Sequence, residues 1–159
     1  MSSKFIHDLF EGIRLEDFIL WGFQKKYPKA IRKEGSFKYF DIHIPEIRQK
    51  IECKWDKGSE FTKNIAVEFG YRNMPSGIST TKATHWVYLF HDESWKFAII
   101  KVKAFKELIE KARVVRGGDG LQSELYLIPK KLLYDRKDVK IETYLEELKE
   151  FGKKYKKLV

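Results

Sequence analysis

The chain has 159 residues, 43% of them hydrophobic, and a formal net charge of +9 from 32 Lys and Arg against 23 Asp and Glu. That length suits one domain with its own core, and the apolar content excludes a disordered chain. No apolar run reaches the roughly 18 to 20 residues of a membrane span, and a single cysteine, Cys53, excludes an intrachain disulfide.

The N-terminal stretch MSSKFIHDLFEGI carries charges within its apolar residues and no small-residue cleavage pattern, so a cytoplasmic, non-secreted protein is expected. The basic balance, with a sequence pI near 9.4, favours a polyanionic partner, nucleic acid before an anionic membrane.

Residues 4 to 26 predict a helix with a break at Gly12, because Ile6, Leu9, Phe10 and Ile13, then Leu15, Phe18, Ile19 and Phe23, keep helical spacing. Pro28 ends it. Glu11 and Glu16 both fall on this segment. From Ala30 to Phe40 the pattern turns to strand, with a turn at Glu34-Gly35.

FKYFDIHIPEIRQKIECKWD, residues 37 to 56, reads as a β-hairpin. Phe40, Ile42 and Ile44 alternate onto one face, and Ile51, Cys53 and Trp55 match them. With Pro45 to Arg48 as the loop, Ile44 pairs with Gln49, Ile42 with Ile51 and Phe40 with Cys53. The other face then sets Asp41 opposite Glu52 and His43 opposite Lys50, and Lys54 shares the face of Glu52. A slip of one residue would mix the apolar faces, so the pattern selects this register.

NIAVEFGY (64 to 71) predicts a strand with Glu68 near its end, and NMPSGISTTKA a loop with a short helical turn. HWVYLF and WKFAIIKV predict an antiparallel pair joined by a turn at His91 to Ser94. VKAFKELIEKARVV (102 to 115) predicts a helix, VRGGDGLQ a flexible loop and ELYLI a short strand. VKIETYLEELKEFGKKYKKLV (139 to 159) predicts one amphipathic helix with Ile141, Leu145, Leu148 and Phe151 on one side. The order predicts an α/β (α+β) domain, a mixed central β-sheet flanked by helices.

Two carboxylates and an ammonium on one hairpin face suit metal-dependent phosphodiester hydrolysis. A divalent ion lowers the pKa of an attacking water and neutralises developing oxyanions. Mg²⁺ takes hard oxygen ligands and typically one or two protein carboxylates. Asp41 and Glu52 supply such a pair, with the backbone carbonyl of Cys53 as a further ligand, and Lys54 can position water or stabilise phosphate charge. The competing readings are a surface charge cluster on a non-catalytic nucleic-acid-binding module, and a protein-interaction domain whose C-terminal helix docks a partner. The four histidines lack zinc-site spacing, and neither a nucleotide-binding glycine loop in its proper context nor a serine-nucleophile elbow is present.

FDIHI followed by IECKW resembles the PD-(D/E)xK nuclease superfamily over roughly Leu15 to Ile100, including archaeal Holliday-junction resolvases and phage nucleases. The resemblance implies a restriction-endonuclease-like fold and a DNA endonuclease using Mg²⁺ or Mn²⁺. It implies catalytic roles for Glu16, Asp41, Glu52 and Lys54, although Phe40 stands where the superfamily often has proline. NIAVEFGYRNMPSGISTTKATHWVYLF is similar to a segment of phage-type members, which places Glu68, Ser76, Thr80, Thr81 and Lys82 at the substrate. Short hydroxyls and a lysine are what phosphate contacts use. A homodimer is expected by the same resemblance, since resolvases act as symmetric pairs.

Overall fold

A computed structural model of the chain describes residues 14–33, 39–56, 62–90, 96–143 and 145–158. It is a mixed α+β structure with two sheets and four α-helices among the described residues. The larger sheet runs β1 (Ile31–Arg32), β2 (Ile42–Ile44), β3 (Gln49–Asp56), β6 (His85–Phe90), β7 (Lys96–Lys101) and β10 (Val139–Thr143), in that spatial order. Every pairing in it is antiparallel except β3 with β6. The smaller sheet is antiparallel throughout, ordered β5 (Met74–Pro75), β4 (Asn64–Tyr71), β9 (Ser123–Pro129) and β8 (Arg113–Gly117).

The larger sheet is covered on both faces. β6 shows why: Trp86 to Phe90 are all buried, as a strand with core above and below requires. On one face, helix α1 (Leu15–Gln24) inserts Leu15, Phe18 and Ile19 against Ile42, Ile44, Ile51, Val87, Leu89 and Phe97. Helix α4 (Leu145–Leu158) adds Leu148 to that core and sets Phe151 edge-on to Phe18 at 5.4 Å between ring centres. On the other face, Trp86, Tyr88, Phe90, Ala98 and Ile100 meet Ile65, Val67 and Ile128 of the smaller sheet. The short helices α2 (Phe105–Ile109) and α3 (Lys131–Tyr134) complete that core with Phe105, Leu108 and Leu133.

The hairpin register is the predicted one: Ile42 pairs with Ile51, His43 with Lys50 and Ile44 with Gln49. Its open end differs. Phe40 was expected on the Ile42 face, but it packs into the opposite core with Trp86 and Tyr88. The ladder stops at Ile42, so strict alternation no longer binds Phe40 to the faces of Ile42 and Ile44.

Three further expectations are corrected. The helix expected over 102 to 115 is a 3₁₀ turn (Val102–Ala104) and the single turn and a half of α2, and Arg113–Gly117 is strand β8. Val114 and Val115 pair across β9 with Tyr126 and Leu125, a partnership that β-branched residues favour over helix. Residues 139 to 143 are strand β10, so Ile141 belongs to a sheet rather than to the final helix. The open edge of β7 supplies hydrogen bonds that a helical start would forgo. The single expected sheet is two, because the segment between β3 and β6 forms its own ladder with β9. The Gly12 break, Glu11, and the turns at Glu34-Gly35, Lys57–Glu60 and 91 to 94 lie outside the described residues.

Ile51 is fully buried between α1 and the sheet, whereas Val114 is 60% exposed on the edge strand. Ile51→Ala should cost about 2–5 kcal/mol in urea denaturation. Val114→Ala should stay within about 0.5 kcal/mol.

Candidate active site

Asp41 sits where β2 has not yet begun. Its backbone N–H donates to the Ile51 carbonyl at 2.8 Å, and its carbonyl accepts the Lys33 N–H at 2.7 Å. The free end of β3 leaves the Cys53 N–H without a partner on β2, and Asp41 Oδ2 accepts it at 2.7 Å. The aspartate side chain thereby continues the ladder in place of a backbone carbonyl. That is the physical reason an acidic residue is fixed at this spot rather than waving in solvent.

Glu52 and Lys54 alternate onto the same face of β3, and Lys54 Nζ lies 3.0 Å from Glu52 Oε1. The ammonium also stands over the Trp86 ring, 5.3 Å from its centre. In the parallel ladder Glu52 neighbours Trp86 and Lys54 neighbours Tyr88, so this charged face abuts the core under the smaller sheet. The Glu52 side chain keeps 16% of its exposure and Lys54 37%, so the pair is part-desolvated rather than a surface bridge.

Electrostatics tie the group together. The Asp41 carboxyl is pushed up to about 6, first by burial and then by the Glu52 carboxylate, with Glu16 adding to the rise. The Cys53 N–H and the Lys54 ammonium pull the other way. Burial, Asp41, Glu16 and Glu52 together hold the Cys53 thiol well above its ordinary value. The thiol is therefore neutral and a poor ligand, which leaves the backbone carbonyl as the one donor Cys53 can offer. Glu16 borders the buried stripe of α1 and acts on both Asp41 and Cys53. Arg32 Nη1 to Asp17 Oδ1 at 2.6 Å ties α1 to β1 beside the hairpin.

Glu52 and Lys54 are thus in direct contact, and Asp41 feels the charges of Glu16, Glu52 and Lys54. Among the described residues no three His, Cys, Asp or Glu side chains form a ready-made metal-ligand group. The donor set nevertheless fits a hard cation of the Mg²⁺ type, which needs only one or two carboxylates. Asp41 Oδ1 and Glu52 Oε2 accept no hydrogen bond among the described residues.

The downstream residues Glu68, Ser76, Thr80, Thr81 and Lys82 each have partners within the fold. Glu68 lies on β4 and accepts hydrogen bonds from Ser76 Oγ at 3.1 Å and Ser123 Oγ at 2.9 Å, so it clamps the smaller sheet internally. Gly77, at φ +53, lies so close beneath the Glu68 carbonyl that any side chain there would collide with it. Thr81 Oγ1 accepts from Trp86 Nε1 (3.2 Å) and Ala83 N–H (3.1 Å) and donates to the Tyr39 carbonyl (3.3 Å). Thr80 Oγ1 reaches only its own turn, at 3.5 Å from Gly77 O. Lys82 donates its N–H to Tyr39 O, and its Nζ lies 4.6 Å from the Tyr39 ring centre. Thr81 and Lys82 therefore pin the loop to Tyr39, two residues before Asp41, while Glu68 and Ser76 brace the loop from behind.

Two positions that sequence reasoning passed over complete the surroundings. Asp56 Oδ2 accepts the Ala66 N–H at 2.7 Å, and Tyr88 Oη donates to Ala66 O at 3.1 Å, so the far end of β3 holds the start of β4. Asp56 continues the even-numbered face of Glu52 and Lys54, a signal readable from alternation alone. Lys50 Nζ stands 5.3 Å from the Phe40 ring centre and Lys33 Nζ 5.8 Å. An apolar cavity of about 280 Å³ between α1 and the sheet is lined by Phe18, Val87 and Phe97 and involves none of the four charged residues.

No protein-family model matches the chain, and no curated protein matches it either.

A carboxyl raised from 3.8 to about 6 weakens the fold as pH climbs through that window. Below it both folded and unfolded chains are protonated; above it the folded chain alone bears a disfavoured charge. Asp41→Asn keeps an acceptor for the Cys53 N–H and never ionises. In EDTA at pH 7.5 it should therefore be more stable than wild type by about 3 kcal/mol. The gap should close by about pH 4, measured by urea denaturation at both values.

Proposed function

We propose that the protein is a metal-dependent DNA endonuclease with a restriction-endonuclease-like site of the PD-(D/E)xK type. The observation that carries this reading is the convergence of Asp41, Glu52 and Lys54 at the open end of the hairpin, with Glu16 acting on Asp41 from α1. A charge cluster meant only for solubility would have no reason to raise one of its carboxyls by burial and like charge.

Asp41, Glu52 and the carbonyl of Cys53 would hold Mg²⁺ or Mn²⁺. The ion, when bound, supplies an acidified water and neutralises charge on the phosphate oxygens. The remaining work belongs to the chain. Lys54, held between Glu52 and the Trp86 ring, donates to the attacking water or to a non-bridging phosphate oxygen. Glu16 accepts from that water and orients it. Lys82, Lys50 and Lys33 around Tyr39 and Phe40 attract the phosphate backbone at the approach to Asp41. The net charge of +9 serves the same end over a longer range. Four-way and flapped DNA belong with linear duplex among the substrates, and a homodimer would present two such sites.

The protein should cleave one or more DNAs in a panel of plasmid, linear, flapped and four-way substrates with Mg²⁺ or Mn²⁺, and none in EDTA. Glu52→Ala and Lys54→Ala should each lower the rate about 100-fold or more, the scale of losing one charge-stabilising group. Full activity in both variants would remove these residues from the site. Binding without cleavage under either metal would leave a non-catalytic nucleic-acid-binding module.

A further inference from the structure

β10 (Val139–Thr143) is the last strand of the larger sheet, and among the described residues no strand pairs with its outer side. Along an antiparallel ladder, residues turn their backbone N–H and C=O alternately toward the neighbouring strand and away from it. Two hydrogen bonds fix which residues of β10 do which. The Val102 N–H donates to Thr84 O, on the β6 side of β7, at 2.9 Å. The Lys101 N–H donates to Asp138 O, on the β10 side, at 3.1 Å. Counting on from Asp138, Lys140 and Glu142 bond to β7, while Val139, Ile141 and Thr143 turn outward. The Val139 N–H is used locally, on Arg136 O at 3.4 Å. Ile141, at the centre, presents both its N–H and its C=O to the open edge.

The side chains sort by the same alternation. Val139 and Ile141 pack against the core beneath the smaller sheet. Lys140 and Glu142 lie on the opposite face, 68% and 34% exposed, with Nζ and Oε1 3.1 Å apart. Proteins block open edges with prolines, bulges or unbalanced charge. β10 has no proline, its register with β7 has no bulge, and its lysine is balanced by a glutamate.

The sequence of the edge selects its occupant. An antiparallel copy, related by a two-fold axis normal to the sheet, sets outward residues against outward residues. Centred on Lys140, such a pairing sets lysine against lysine. Centred on Glu142, it sets glutamate against glutamate. Centred on Ile141, it sets Lys140 opposite Glu142 twice over, Ile141 opposite Ile141 and Val139 opposite Thr143. Registers centred on either end run off the strand. Opposite charges facing across a ladder are favourable and like charges are not. The strand therefore accepts its own copy in one register and rejects the neighbouring two. The edge strand β8 offers no such match, since Arg113 and Arg116 give it charge of one sign. Tyr134 widens the contact at β10. It is 48% exposed, its ring centre lies 5.7 Å from Lys96 Nζ, and Lys96 pairs with Thr143.

We propose that the protein is a two-fold homodimer in which β10 pairs with β10 of a second copy, centred on Ile141, to form one continuous sheet. The axis keeps Glu52 and Lys54 of both copies on the same face of that sheet. This gives the homodimer of the reading above its interface, yet it rests on the sheet edge alone and holds whether or not the protein cuts DNA.

Analytical ultracentrifugation of the full chain tests it. A five-residue edge is a small interface, so wild type should pass from 19.0 kDa to twice that mass between about 1 and 100 μM. Lys140→Glu and Glu142→Lys each set like charges at both ends of the contact and should stay monomeric over that range. An equal mixture of the two variants matches every charge across the contact and should dimerise as wild type does. So should the chain carrying both exchanges. Circular dichroism should be unchanged in all of them, because the ion pair within the strand is exposed. Wild type that stays monomeric, single variants that dimerise as wild type does, or a mixture that stays monomeric overturns the β10 interface. Cleavage of DNA is read separately, so the nuclease reading and the interface can each fail without the other.

Discussion

One hydrogen bond organises the site: Asp41 Oδ2 accepting the Cys53 N–H at 2.7 Å. It exists because β2 begins at Ile42, two residues short of the position that would face Cys53, and so supplies no backbone carbonyl there. A side chain that completes a sheet ladder cannot swing away, so the carboxylate is fixed in the same frame as Glu52 and Lys54. The arrangement is costly for the metal-free fold, since burial and two neighbouring acids disfavour the Asp41 charge. Stability given up at one carboxyl is the usual signature of a site rather than of a scaffold.

The smaller sheet is the second constraint. Asp56 and Tyr88 hold the start of β4 through both polar groups of Ala66, and Thr81 holds the returning loop through Trp86 and Tyr39. The charged face of β3 is thereby flanked at both ends, with Glu52 and Lys54 between. The same chain excursion carries the Tyr71–Met74 tip.

The hairpin was legible because its apolar residues allow a single register, and the observed pairs follow it. β4, β6 and β7 were legible for similar reasons of pattern and length. Glu68 and Ser76 show the limit. Their types suit a phosphate site, yet Ser76 and Ser123 take up both oxygens of Glu68, and Ser123 stands 55 residues away in sequence. Helical spacing misled at 139 to 143, where Ile141 fell in phase with Leu145 and Leu148 although the open edge of β7 claims the segment. Phe40 was misassigned because alternation holds only while a ladder continues.

The sequence by itself determined the strands of the hairpin, their register, the shared face of Glu52 and Lys54, and the excess positive charge. These rest on local rules: a period of two, turn chemistry and counting. Tertiary structure alone decided that Asp41 leaves the ladder to cap Cys53 and that Glu16 of α1 acts on it. It also decided that residues 64 to 75 form part of a second sheet. Each of those depends on partners far apart in the chain, and no local periodicity records which strand edge or which buried donor a segment will meet.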